Sequence, residues 1–175
     1  MKTKLVLILW SLMFCLPGEA KEMSLTYAGI FAGAGSPSNS DAGITFGGTF
    51  GRRMTPDFGT GIYYTQLSST ISALGTAGTS TKLSAYGVEG NYYLTGDMDG
   101  MVIGMKLGLL SRTLQMTGMK VTATPLSVGP KLAFDHKLDS KVSVGFEANV
   151  LFQGANNGQE AYSLINMLGA LKLWF

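Results

Sequence analysis

Ile165-Asn166-Met167-Leu168-Gly169-Ala170-Leu171-Lys172-Leu173-Trp174-Phe175 decides the fold. Counting back from Phe175, every second position (Leu173, Leu171, Gly169, Met167, Ile165) shares one face, and that face is oily. Lys172, Ala170 and Asn166 share the other, with Trp174 and Leu168 among them. Side chains alternate across a strand, so this stretch is a β-strand with one apolar face and one small or polar face.

The other end of the chain reads differently. Lys2 and Lys4 form a basic start, Leu5 to Leu16 an apolar core, and Gly18-Glu19-Ala20 a small-x-small cleavage site. This is the pattern of a secretory signal peptide over residues 1–20. The mature domain is then expected over 21–175, beginning near Lys21. The apolar core is too short for a membrane helix of about 20 residues. Cys15 is the only cysteine, and Phe14 stands before it where a lipid-anchoring site wants a small residue. With the signal removed, no disulfide chemistry is expected.

Composition narrows the class. Charged residues make up 14% of the chain, against about 25% in ordinary soluble domains. The net charge of +2 gives no electrostatic footprint for a nucleic acid. Mean hydropathy is positive, yet no apolar run after the signal reaches about 18 residues. In lipid every backbone group must be hydrogen-bonded within the protein, and only helices and closed sheets achieve this. An all-β, closed antiparallel barrel is what remains.

Turn residues divide the mature chain into eight strands, expected near Ser24–Gly33, Gly43–Arg53, Phe58–Ser68, Lys82–Leu94, Met101–Gln115, Val121–Asp135, Val142–Phe152 and Tyr162–Phe175. The seventh alternates most cleanly: Val142, Val144, Phe146, Ala148, Val150 and Phe152 oppose Ser143, Gly145, Glu147 and Asn149, with Leu151 as the exception. The first and third do not declare a face. Pro125 and Pro130 in the sixth each lack a ladder donor, so a bulge or broken pairing is expected there.

The oily face is expected outward. The opposite face is mostly Gly, Ala, Ser and Thr with about one charge per strand, too few for a solvated surface. Such small residues suit the narrow interior of an eight-stranded barrel. Phe50, Phe58, Tyr92, Phe134 and Phe175 end strands on the oily face and would ring one membrane boundary. Thr55-Pro56-Asp57, Asp97-Met98-Asp99-Gly100 and Asp135 to Ser140 read as short turns on the side of the termini, the periplasmic side in such barrels. Gly35 to Ala42, Ser69 to Thr81, Met116 to Lys120 and Gly154 to Ala161 read as the opposite loops. Of these, Ser69 to Thr81 is long enough to project.

On these residues the chain resembles the small eight-stranded outer-membrane barrels: the OmpA-like membrane domain and the OmpX- and OmpW-like proteins. The resemblance covers nearly all of the mature chain. It rests on the signal, the strand rhythm and Leu171-Lys172-Leu173-Trp174-Phe175. It implies an outer-membrane location and recognition of Leu171, Leu173, Trp174 and Phe175 by the barrel-assembly machinery. Because the chain stops at Phe175, the peptidoglycan-binding domain of full-length OmpA-like proteins is not expected. The family's functions are diverse, so the fold does not choose among them.

Six charges fall on the inward face: Glu89, Lys106, Arg112, Lys131, Glu147 and Lys172. Hairpin symmetry puts Glu89, Lys106, Lys131 and Glu147 on four adjacent strands at about one depth. Two readings stay open. The layer is a polar plug that satisfies its own charges, or it is a gate that opens by exchanging partners, as the resemblance implies.

No cofactor or metal is expected, because no ligand cluster or phosphate loop appears. His136 is the only histidine. Between Asp135 and Lys137 it reads as a solvated turn residue rather than a catalytic one. A structural or loop-mediated interaction role is therefore the leading expectation. A narrow channel for ions or small solutes is the alternative, and a lipid-modifying enzyme stands behind both. Outer-membrane lipid is the expected surrounding, and closure of the sheet edges makes a monomer the expected state.

Overall fold

The computed structural model describes residues 25–38, 40–70, 80–95, 99–116, 119–155 and 161–175. The expected signal segment 1–20, the start of the first expected strand, parts of all four expected loops and Asp97 and Met98 of the expected Asp97–Gly100 turn lie outside these residues. The described residues form β1 (Thr26–Pro37), β2 (Gly43–Arg53), β3 (Phe58–Thr70), β4 (Ser80–Tyr93), β5 (Gly100–Met116), β6 (Met119–Ala123), β7 (Leu126–Asp139), β8 (Val142–Gln153) and β9 (Tyr162–Trp174).

These nine segments make eight staves. Each of β1 to β5 pairs antiparallel with the next, β5 pairs with β6 and β7, and β7, β8 and β9 follow in order. β9 returns to β1, from Tyr27 opposite Trp174 to Pro37 opposite Leu164, and closes the sheet into an all-β barrel. Closure is the only way a sheet can satisfy both of its edges.

The sixth expected strand is two segments. β6 and β7 both lie along β5 and are separated by Thr124 and Pro125. The register with β5 is unchanged across the break, with Arg112 opposite Ala123 and Leu109 opposite Leu126. Pro125 has no amide to donate, but its carbonyl accepts from the Leu110 amide at 2.9 Å.

Pro130 acts differently. It stays paired with Met105 of β5, while β7 and β8 lose their pairing at Gly129 and Pro130. In this register the missing Pro130 donor would have met the Val150 carbonyl. The one shift of register in this hairpin lies further on, between Lys137 and Asp139.

Two boundary expectations are corrected. Asp135 to Ser140 is not a turn, because β7 continues to Asp139 and pairs with β8 up to Val142. Gly35 to Ala42 is not all loop, because β1 continues to Pro37 along β9. On the side of the termini, hereafter the terminal rim, Gly100 opens β5 with φ of 123°. That conformation suits a residue without a Cβ.

The oily face is outside. Ile30, Phe46, Ile62, Met105, Leu132, Met167 and Leu171 are exposed, and so are the five aromatics Phe50, Phe58, Tyr92, Phe134 and Phe175. Phe50 and Phe175 meet at a ring-centroid distance of 6.4 Å. Inside, the core lies in two layers. Near the loop rim, Tyr63, Leu67, Leu83, Leu110, Leu151 and Leu164 pack together. Near the terminal rim, Tyr27, Tyr93, Val102, Ala133 and Trp174 do the same. Leu151 breaks the alternation of its strand because it belongs to the inner apolar layer.

Candidate functional site

Four of the six inward charges come together between the two apolar layers. Register sets this up. Glu89 on β4 lies directly opposite Lys106 on β5. Lys131 on β7 lies opposite Gly104, two residues along β5 from Lys106. Glu147 on β8 lies opposite Ala133, two residues along β7 from Lys131. Each of these two pairs is offset by two residues from direct opposition, and long side chains span the offset.

The result is a crossed quartet. Lys131 lies 2.9 Å from Glu89 and 3.4 Å from Glu147. Lys106 lies 3.8 Å from Glu89 and donates a closer hydrogen bond to Glu147. Each ammonium therefore faces both carboxylates. None of the four side chains is more than 4% exposed. Burying a lone charge is prohibitive, whereas two positive and two negative groups in mutual contact compensate one another.

Neutral donors complete the carboxylate shells. Glu89 accepts from the Thr49 hydroxyl at 2.9 Å, the Tyr27 hydroxyl at 3.2 Å and the Asn91 amide at 3.4 Å. Glu147 accepts from Asn149 at 2.8 Å. A polar chain continues outward, Thr45 donating to Asn166 at 3.2 Å and Asn166 to Asn149 at 2.9 Å. The Lys106 ammonium also lies 4.7 Å from the Tyr63 ring centre and 5.5 Å from that of Phe31, a favourable placement over an aromatic face.

Lys172 and Arg112 lie apart from the quartet. Lys172 pairs with Asp135 at 2.5 Å toward the terminal rim. Asp135 is buried there, which corrects its reading as a solvated turn residue; the extension of β7 carries it into the lumen. Arg112 lies toward the loop rim with its guanidinium 5.0 Å from the Tyr162 ring centre. Its register partners are Leu83 and Ala123, not members of the quartet.

Sequence reasoning missed Arg53 and Tyr27 as lumenal residues. Arg53 is buried, lies over Tyr93 at 4.2 Å and donates to the Pro56 carbonyl. Tyr27 meets the inward Trp174 with ring centres 5.0 Å apart and planes tilted by 46°, and Trp174 donates to Ser143 at 2.9 Å. Arg53 shares a face with Gly51, Thr49 and Gly47 on a strand whose alternation was already visible, so the signal was present. Tyr27 sits on the strand whose faces did not separate.

His136 is not in a turn but near the end of β7, exposed at the terminal rim. Its Nδ1 lies 3.4 Å from Asp99. Among the described residues, no group of three or more His, Cys, Asp or Glu side chains could hold a metal ion.

A closed sheet with an oily exterior, aromatic strand ends and a charged, self-neutralised interior defines a transmembrane β-barrel. No family model matches the sequence, and no curated protein matches it. Solved structures do match in fold. The crystal structure of Neisserial surface protein A is 17% identical, covers 87% of this chain and 97% of that one, and superposes with a TM-score of 0.70. Ail, the attachment invasion locus protein of Yersinia pestis, in complex with the heparin analogue sucrose octasulfate, is 8% identical, with 88% and 100% covered and a TM-score of 0.59. The N-terminal barrel domain of Pseudomonas aeruginosa OprF is 10% identical, with 87% and 100% covered and a TM-score of 0.53. The chain has the fold of the small eight-stranded outer-membrane barrels.

Proposed function

We propose that this chain is an integral outer-membrane barrel of a Gram-negative envelope, exported by its N-terminal signal, with a structural or loop-mediated interaction role. The observation that carries this reading over a channel is the sealed lumen. The buried quartet is capped by one apolar layer toward the loop rim and another toward the terminal rim. An ion on the axis would have to cross both layers as well as the charges. The lumenal set Glu89, Lys106, Lys131 and Glu147 is on this reading a plug that holds the staves together.

The similarity to a barrel solved with a heparin analogue supports an interaction role over transport. Outer-membrane lipid surrounds the barrel, and the assembly machinery reads Leu171, Leu173, Trp174 and Phe175 during biogenesis. The exposed aromatics Phe50, Phe58, Tyr92, Phe134 and Phe175 mark the periplasmic boundary. The barrel works as a monomer and without catalysis.

Single-channel recording of the refolded barrel in a planar bilayer tests the plug. Protein shown to be inserted should stay silent. Reproducible openings that change when Glu89 or Lys106 is neutralised would make the quartet a gate and the protein a narrow channel.

A further inference from the structure

Outside the lumen, one part of the surface breaks the oily pattern. Hydrogen-bonded rows run around the barrel across the strands. One row passes through Met167, Ala34 and Ile44 and continues as Ser68, Lys82, Thr113 and Thr122. It changes from apolar to polar between Ile44 and Ser68. The row beneath it crosses the same staves as Gln66, Ser84, Ser111 and Thr124, with Thr124 in the gap between β6 and β7.

These side chains face outward. Their neighbours along the strands, Leu67, Leu83 and Leu110, are buried in the lumen. Ser68, Lys82, Thr122 and Thr124 are exposed and the other four half-buried. The hydroxyls are mutually ordered: Thr113 and Thr122 lie 3.2 Å apart, and Thr124 donates to Ser111 at 3.2 Å. Lys82 stands within this hydroxyl face and makes no ion pair among the described residues.

The height of the face is informative. The rows lie two and four residues beyond Tyr64 and Tyr86, which are exposed on the oily side. At about 3.3 Å per residue and a tilt near 40°, they stand roughly 5 and 10 Å above that aromatic pair. A bilayer's polar layer is roughly 5–8 Å deep on each side. Counted from Phe58 and Tyr92 at the opposite boundary, Gln66 and Ser68 stand eight and ten residues along β3, roughly 20 and 25 Å up, so an apolar band of about 25 Å ends at the row of Ser68 and Lys82. On the other staves the exterior stays apolar close to the loops, at Ile44, Phe152 and Ile165.

We infer that the outward face of β3–β6 at the loop rim, centred on Lys82, docks the phosphorylated sugar headgroup of a glycolipid in the outer leaflet. Rows of ordered hydroxyls match the hydroxyls of a sugar. The unpaired ammonium matches a phosphate. Continuity with the lipid-facing belt supplies the neighbour, because whatever lipid packs on Tyr64 and Tyr86 brings its headgroup to these rows. The inference rests on the outer-membrane reading above.

The test uses the refolded protein in nanodiscs of phosphatidylcholine doped with either lipid A or phosphatidylglycerol, with lipid retained per barrel counted by mass spectrometry. Heat-shifted gel mobility establishes insertion first; a barrel that does not insert overturns the membrane reading itself. For an inserted barrel, lipid A should be enriched. Lys82→Glu should lower that enrichment about tenfold, and Thr113→Val/Thr122→Val should lower it severalfold. Lys141→Glu, the same charge change at the terminal rim, should leave it unaltered. Equal lipid A retention by Lys82→Glu and the wild type overturns the inference. Equal enrichment of phosphatidylglycerol overturns the assignment to a sugar headgroup.

Discussion

Glu89 accepts hydrogen bonds from Tyr27, Thr49, Asn91 and Lys131, residues on β1, β2, β4 and β7. One carboxylate thus ties half of the barrel's staves to a single point. Truncating it leaves Lys106 and Lys131 sharing Glu147, with one uncompensated charge in a dry interior. Glu89→Ala should lose about 3–5 kcal/mol, read by urea titration of the folded fraction in lipid vesicles. Adding Lys131→Met removes the surplus charge, so the double variant should recover part of the loss. Strict additivity would show that the two residues do not interact. Glu89→Gln separates the terms, because its carbonyl still accepts from Thr49 and Tyr27 while the charge is gone. Its stability should fall between the wild type and Glu89→Ala.

At the scale of the strand, legibility followed how strictly the two faces differ. Gly43–Arg53 has the same bounds in sequence and structure, because Ser40-Asp41 and Thr55-Pro56-Asp57 bracket it, although Gly48 interrupts its oily face. β1 and β3 hid their faces because Tyr27, Tyr63 and Leu67 point inward to build the lumenal layers and Phe31 points inward beside Lys106, while Ala28, Ala32 and Thr60 look outward. Apolar residues on both faces erase a period of two. The same cause limited the site. Glu89 and Lys106 are opposite because a hairpin fixes their register, whereas Asp135 looked like a turn residue until β7 was seen to continue past it. Pro130 shows what local chemistry does to a ladder. Its missing amide leaves Gly129 and Pro130 unpaired with β8, without moving the register on either side. Pro130→Ala supplies a donor aimed at the Val150 carbonyl. It should stabilise the barrel by about 1 kcal/mol and give the new amide slow hydrogen exchange. Rapid exchange there would mean that β7 and β8 are held apart by something other than the proline.

Across the whole molecule, the barrel is a stack: aromatic and aliphatic side chains near each rim, and between them charges that neutralise one another. Eight staves enclose a space about wide enough for side chains alone, so each layer seals independently. Conductance should therefore require breaches on both sides of the quartet and of the quartet itself. Leu110→Ala/Leu151→Ala opens the layer at the loop rim, and Tyr27→Ala/Tyr93→Ala the one at the terminal rim. Each such truncation of a packed side chain destabilises by roughly 2–5 kcal/mol, so insertion must be established before recording. Either pair alone should leave an inserted barrel silent. The four changes together should admit water to the quartet from both sides yet leave it closing the axis, so that ion current appears only when Lys106→Met is added. Current from either pair alone would mean that neither the opposite layer nor the quartet seals. Current from the fourfold variant with the quartet intact would overturn the plug.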